Sequence, residues 1–211
     1  MPRDNAQSRA GLSAPVRPYR AQRQFAKAEP LYQRALAIWD KALGPEHPDV
    51  AASLNNLAIL YHAQGQYAEA EPLYRQALAI DEKSFGPDHP EVAKDLNNLA
   101  QLYQEQSHYL KAEPLYQRAL AIREKALGPE HPDVATSLIG LALLYATQGQ
   151  FAKAEPLYQR ALAIREKAVG PEHPSVATWL ENYALRLRAM DRSREAEPLE
   201  ARARAIRAKS S

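Results

Sequence analysis

The chain has 211 residues, 27 of them basic and 25 acidic, for a net charge of +2. That balance excludes an electrostatic case for nucleic acid or an anionic membrane surface. The absence of cysteine excludes a disulfide framework and a thiolate metal site, and no apolar run approaches the roughly 20 residues that span a bilayer.

One stretch recurs at a fixed spacing. It begins at Phe25 (FAKAEPLYQRALAIWDKALGPEHP) and again at Tyr67, Tyr109 and Phe151, each start 42 residues after the last. A damaged fifth copy begins at Ser193. A fixed period of roughly 20 to 50 residues marks a stacked repeat architecture.

Residues 1–20 carry no apolar segment of the kind that a secretory signal needs. By the period, Leu12 matches Leu54 and Tyr19 matches Tyr61, so residues 7–24 look like a decayed first helix. Pro15 and Pro18 fall where Leu57 and Leu60 should be, and an interior proline costs about 3 kcal/mol. The expectation for residues 1–20 is disorder or this decayed helix. A leading helix at 25–43 follows. It keeps Leu31, Tyr32, Leu36 and Ile38, and adds Trp39 where later copies have Asp81, Arg123 and Arg165. With its partner helix decayed, Leu31, Leu36 and Trp39 are predicted to be exposed and to serve self-association.

Each later unit reads as two helices, giving pairs near 48–85, 90–127 and 132–169. In the first, Pro48 suits an initial helical position and Asp49 the first turn. Val50, Leu54, Leu57, Ala58 and Tyr61 then form one apolar helical face. Gly65 suits a turn of positive φ. The second helix of the pair packs through Ala70, Leu73, Tyr74, Ala77, Leu78 and Ile80 or Asp81, and stops at Gly86-Pro87. Pro72 recurs in each copy near the end of the first turn, where it costs at most about one backbone hydrogen bond. A last first-type helix is predicted at 174–190 and a capping helix at 193–209. Glu200 and Arg204 there replace Tyr158 and Leu162, as the end of an array requires.

The pattern LNNLAILYHAQGQYAEAEPLYRQALAI at 54–80 resembles the tetratricopeptide repeat, through Leu54, Leu57-Ala58, Tyr61, Gly65, Tyr67, Ala70 and Ala77. The 42-residue unit with its LGPEHPDVA junction is similar to the repeats of kinesin light chains and of bacterial relatives. The resemblance implies an all-α, right-handed superhelical solenoid of antiparallel helix pairs, with the first helix of each pair lining a concave face. It also implies a function, the binding of an extended peptide or partner helix in that groove, and a cytoplasmic location.

The implied groove positions are Asn55, Asn56 and Ile59, then Lys94, Asn97, Asn98, Gln101 and Glu105. The third and fourth units supply Ile139 and Leu143, then Glu181, Asn182, Leu185 and Arg188. In relatives the second Asn of LNNLA bonds a peptide backbone; Asn56, Asn98 and Asn182 match it and Gly140 departs. The alternative function is a structural, assembly or regulatory subunit, a homodimer formed through the leading helix.

No phosphate loop, nucleophile elbow or HExxH sequence is present, so no enzymatic activity and no cofactor is expected. His47, His89, His131 and His173 recur once per repeat and do not converge as metal ligands would, which favours helix capping or loop packing. Tyr32, Tyr74, Tyr116 and Tyr158 recur at core positions.

Overall fold

A computed structural model describes residues 25–189 and 191–210. The expectations for residues 1–20, and for the decayed helix at 7–24, lie outside the described residues. The chain divides into two compact units between Ala126 and Leu127. The first holds helices α1 (Phe25–Leu43), α2 (Pro48–Ala63), α3 (Tyr67–Phe85), α4 (Pro90–Glu105) and α5 (Tyr109–Leu127, its last residue across the boundary). The second holds α6 (Pro132–Thr147), α7 (Phe151–Val169), α8 (Pro174–Ala189) and α9 (Ser193–Ser210). The architecture is all-α, and no strand occurs among the described residues. The even-numbered helices are the first members of each pair and are called A-helices below; the odd-numbered ones are B-helices.

Each A-helix starts on a proline, whose missing N–H would have had no helical partner. The histidine before it caps the helix. Nδ1 of His47, His89, His131 and His173 accepts the backbone N–H of Asp49, Glu91, Asp133 and Ser175 at 3.1–3.2 Å. Each ring therefore presents a lone pair at Nδ1, in a role that Asp or Asn usually fills. These loop histidines are helix caps.

The B-helices run through their prolines: α3 is continuous from Tyr67 to Phe85 with Pro72 inside it. The proline is the sixth residue, so one backbone bond is lost and the helix survives. It ends at Gly86, with φ 88° and ψ 160°, a region essentially closed to other residues.

In the first unit α1 packs on α2, α2 pairs with α3, and α3 packs on α4. Val92, Ala93 and Leu96 of α4 meet Ala119 and Ile122 of α5. In the second unit α6 pairs with α7, α7 touches α8, and α8 pairs with α9. Tyr32, Tyr74, Tyr116 and Tyr158 are all buried. Both Ile80 and Asp81 are buried, although only one was required by the helical period.

The loops are tethered from above. Lys83 reaches Glu46 and Lys125 reaches Asp88, each at 2.5 Å, while Lys167 pairs with Glu130 and Lys209 with Glu172. These pairs are exposed, and each adds little alone. Arg118, Arg160 and Arg202 donate to the carbonyls of Pro87, Pro129 and Pro171.

The leading helix corrects an expectation. Leu36 and Trp39 are not left in water. Both pack against the cluster of Val50, Ala51, Leu54, Ala77 and Ile80. α1 stands in the position of a B-helix, and such a helix packs against the A-helix that follows it. Leu31 stays 38% exposed and Ile38 45% exposed.

Two predictions follow from packing and backbone geometry. Leu99 is buried, so Leu99→Ala should cost about 2–5 kcal/mol in urea unfolding. In a nearest-neighbour array its effect should spread to adjacent helices, read by hydrogen exchange. Ser107 occupies the turn position of Gly65 and takes φ 60° without being glycine. Left-handed backbone costs a non-glycine residue about 1–2 kcal/mol, and glycine entropy offsets part of that. Ser107→Gly should therefore raise stability by about 0.5–1 kcal/mol, measured as a higher urea midpoint.

Candidate peptide-binding groove

The A-helices carry two packed stripes, not one. The first holds Leu54 and Leu57, against the partner B-helix and its neighbours. The second is a stripe of small residues: Ala51, Ala93, Ala135 and Ala177 are all buried. Asn55 lies one turn beyond Ala51, on that second stripe, and is only 5% exposed. It is therefore not a groove residue. Its Nδ2 donates to Asp95 Oδ1 at 2.9 Å, and its Oδ1 accepts from Asn98 Nδ2 at 3.0 Å. Reading a single apolar face on each A-helix hides this stripe. The clue lay in the offset: residues 40 and 43 apart meet between neighbouring A-helices.

Asn56 and Asn98 are half-buried, and Asn98 retains one amide hydrogen and its carbonyl oxygen after bonding Asn55. Asn97 is half-buried and engaged. Ile59, His62, Tyr67, Asn98, Gln101 and Glu105 line a cavity of about 430 Å³ between α2 and α4. Its polar wall is a clasp. His62 Nε2 lies 2.9 Å from Glu105 Oε2, and Tyr67 donates its hydroxyl to the same oxygen at 3.3 Å. Gln101 donates to the other oxygen at 3.0 Å. Behind them His62 Nδ1 meets the Tyr74 hydroxyl at 3.3 Å. The clasp was not foreseen; His62 and Glu105 sit at the same offset as Asn55 and Asn98.

In the second unit the corresponding positions are apolar on α6 and mixed on α8. Ile139 and Leu143 of α6 are half-buried, and Leu185 of α8 is 67% exposed. Asn182 is exposed. Glu181 and Arg188 belong to α8 but are held by the last helix. Arg207 Nη2 lies 3.1 Å from Glu181 Oε2, and Arg188 forks onto both Glu200 oxygens at 2.5 and 2.8 Å. The Arg188 bond holds the Glu200 carboxyl below the usual carboxylate range. Lys94 pairs with Glu91. All four charged candidates, Lys94, Glu105, Glu181 and Arg188, thus have a partner within the chain. A ligand must exchange these pairs to use their charge.

Paired helices of constant period, carrying polar side chains on the A-helix face, define a helical-repeat scaffold. The tetratricopeptide repeat family model matches residues 19–83, 62–125, 96–167 and 133–209, and the chain belongs to that family. Among solved structures, a Podosopora anserina protein with nearly identical, kinesin light chain-like TPR repeats is 34% identical, with a TM-score of 0.74 over 95% of each chain. BtubC (BKLC) from P. vanneervenii is 27% identical, with a TM-score of 0.77, over 94% of this chain and 79% of that one. RapI in its apo form, at 16% identity and a TM-score of 0.67 over 99% and 86%, shares the fold alone. No curated protein sequence matches the chain. Tetratricopeptide repeats generally mediate protein–protein interaction and act as non-enzymatic scaffolds. No described helix is long and apolar enough to cross a membrane.

The two neighbouring asparagines are distinguished by experiment. Asn55→Ala removes the donor to the buried Asp95 and should cost about 1–3 kcal/mol. Asn56→Ala, on the open side, should change stability by less than about 0.5 kcal/mol. Equal effects in thermal unfolding would contradict the assignment of the two faces.

Proposed function

We propose that the chain is a non-enzymatic, cytoplasmic interaction module that binds an extended peptide or partner helix along its A-helix face. The observation that carries this reading is Asn56. It reaches the surface one turn from Ile59 and makes no side-chain hydrogen bond among the described residues. A carboxamide both donates and accepts, so it matches the alternating N–H and C=O groups of an extended backbone. Asn98 repeats the group one unit along, beside the cavity under Ile59. Asn182 presents a third, exposed on α8. Ile59 supplies an apolar anchor site in the first unit; Ile139, Leu143 and Leu185 supply them in the second.

Self-association is the second reading, with the outer face of α1 as its surface. Leu31, Ile38 and Leu43 are 38%, 45% and 42% exposed there. Leu36 and Trp39 contribute only indirectly, through the packing that holds α1 in place.

A pull-down from the source cell, with Asn56→Ala/Asn98→Ala as control, should return a partner that the variant fails to retain. Calorimetric titration of that partner should show affinity weakened by about 1–3 kcal/mol, the range for lost hydrogen bonds. Asn98 also bonds Asn55, so thermal unfolding of the variant must accompany the titration. Unchanged affinity in a folded variant would move the site off the A-helix face. Light scattering separates the second reading, which requires a dimer that Leu31→Ser/Ile38→Ser disperses.

A further inference from the structure

Glu105 closes the cavity between α2 and α4, and its surroundings decide what that cavity can hold. Three donors reach its carboxylate: His62 Nε2 at 2.9 Å, Gln101 Nε2 at 3.0 Å and the Tyr67 hydroxyl at 3.3 Å. Gln101 and Tyr67 bring no charge. His62 is the one ion-pair partner of Glu105 among the described residues, and it is positive only when protonated. Among those residues no lysine or arginine lines the cavity. Burial, and then the Glu105 charge, pushes up the hydroxyls of Tyr67 and Tyr116.

The rest of the polar wall accepts as well. A carboxylate only accepts, so Gln101 turns an N–H toward Glu105 and its carbonyl oxygen away. Asn98 gives an N–H to Asn55. Neither carbonyl oxygen has a hydrogen-bond partner among the described residues. The His62 ring stands edge-on to Tyr67 and Tyr74, with centroids 5.7 and 6.1 Å away. The cavity thus offers a carboxylate, two spare carbonyl oxygens and aromatic rings. An anion would face Glu105 with no lysine or arginine to offset it. A metal ion would find too few ligands, because no described group of three His, Cys, Asp or Glu side chains could hold one.

A guanidinium fits this set. It brings five N–H donors in one plane, stacks on aromatic rings and is more weakly hydrated than an ammonium. Its aliphatic stem suits Ile59, which lines the same cavity. The volume of about 430 Å³ falls in the range of small-ligand sites, roughly 300–1,000 Å³. The acid is also particular to this joint. In the other repeats the positions of His62 and Glu105 carry Gln104 with Thr147, and Ala146 with Ala189. The repeat packs without the pair, so packing does not call for it.

We propose that the cavity between α2 and α4 is a subsite for an arginine side chain on the peptide bound along the A-helix face. The guanidinium takes the place of the Tyr67 hydroxyl, whose bond to Glu105 is the longest of the three and the easiest to exchange. It donates to Glu105 and to the carbonyl oxygens of Gln101 and Asn98. That the arginine arrives on an extended peptide rests on the groove reading above; the preference for arginine rests on Glu105.

The test is an NMR titration of the full chain, at low salt, with two blocked pentapeptides. Both are alanine except at the centre, which is arginine in one and citrulline in the other. The two differ in charge and little in shape. The arginine peptide should shift the ring signals of His62 and Tyr67 saturably. It should bind about tenfold or more tightly than the citrulline peptide, as expected for hydrogen bonds to a charged group. Glu105→Gln keeps an acceptor for His62 and Tyr67, and should bring the two peptides within about twofold of each other. Equal binding of the two peptides by the wild type, or no saturable shift, would overturn the subsite without any variant. An arginine preference that survives in folded Glu105→Gln would overturn it too. Tighter binding of spermidine than of the arginine peptide would overturn the peptide as the occupant. An arginine peptide that keeps its preference and its affinity in Asn56→Ala would support the subsite and count against the groove reading alone.

Discussion

The close approach of helices through alanine is the contact on which the rest depends. Ala58, Ala100, Ala142 and Ala184 are buried on the A-helices, and Ala70, Ala112, Ala154 and Ala196 on the B-helices. A methyl group is the largest side chain that such a crossing admits without pushing the backbones apart, and overpacking costs about 1–3 kcal/mol. Because these residues recur at one period, the two helices of each pair meet in the same way. Larger residues, such as Leu60, Leu102 and Leu144, fill the space left beside them and are fully buried. The loops then have little freedom. His-Pro starts every A-helix, glycine of positive φ stops the B-helices, and a lysine from the following B-helix is tied to the acid beside the loop.

Constant packing leaves other positions open to variation, and variation is where chemistry enters. The position of Asn55 carries Asn97, Ile139 and Glu181 in the other A-helices. The result is a polar, hydrogen-bonded joint between α2 and α4, a more apolar face on α6 and a charged one on α8. The position of Asp81 carries Trp39, Arg123 and Arg165. Trp39 fills space with an indole; Asp81 fills it with a carboxyl that needs a proton or a donor. A repeat fold can thus hold very different groups at one address, because the alanine contacts set the geometry whatever stands there.

The charged candidates show how a surface can look available and yet be occupied. Arg188 and Glu181 sit on α8 at positions facing solvent, but α9 brings Glu200 and Arg207 onto them. Glu105 is bound by His62 and Tyr67 from the previous pair. Such pairs are screened and exchangeable, so they favour a partner that offers charge of its own in the same geometry. Among the described residues Asn56, Asn182 and the apolar side chains are not held in this way, which points toward recognition of backbone and of apolar anchors.

The amino-acid sequence by itself determined the helical class, the pairing and the tyrosine core, and narrowed the loop histidines to capping or packing. Each of these follows from local chemistry repeated at a fixed spacing: proline and glycine act within a turn, and an apolar face needs only the helical period. What the tertiary structure decided lies between repeats. Asn55 is a buried donor and Asn56 a surface group, though they are adjacent and identical in type. Leu36 and Trp39 are half-buried, because α1 packs on the core that α2 and α3 form. Asn55 and Asp95, 40 residues apart, meet only when α2 and α4 bring them together. Period alone places a residue on one helix; which face of that helix meets the next pair depends on crossing geometry, and one residue of rotation separates the buried Asn55 from Asn56 on the open groove.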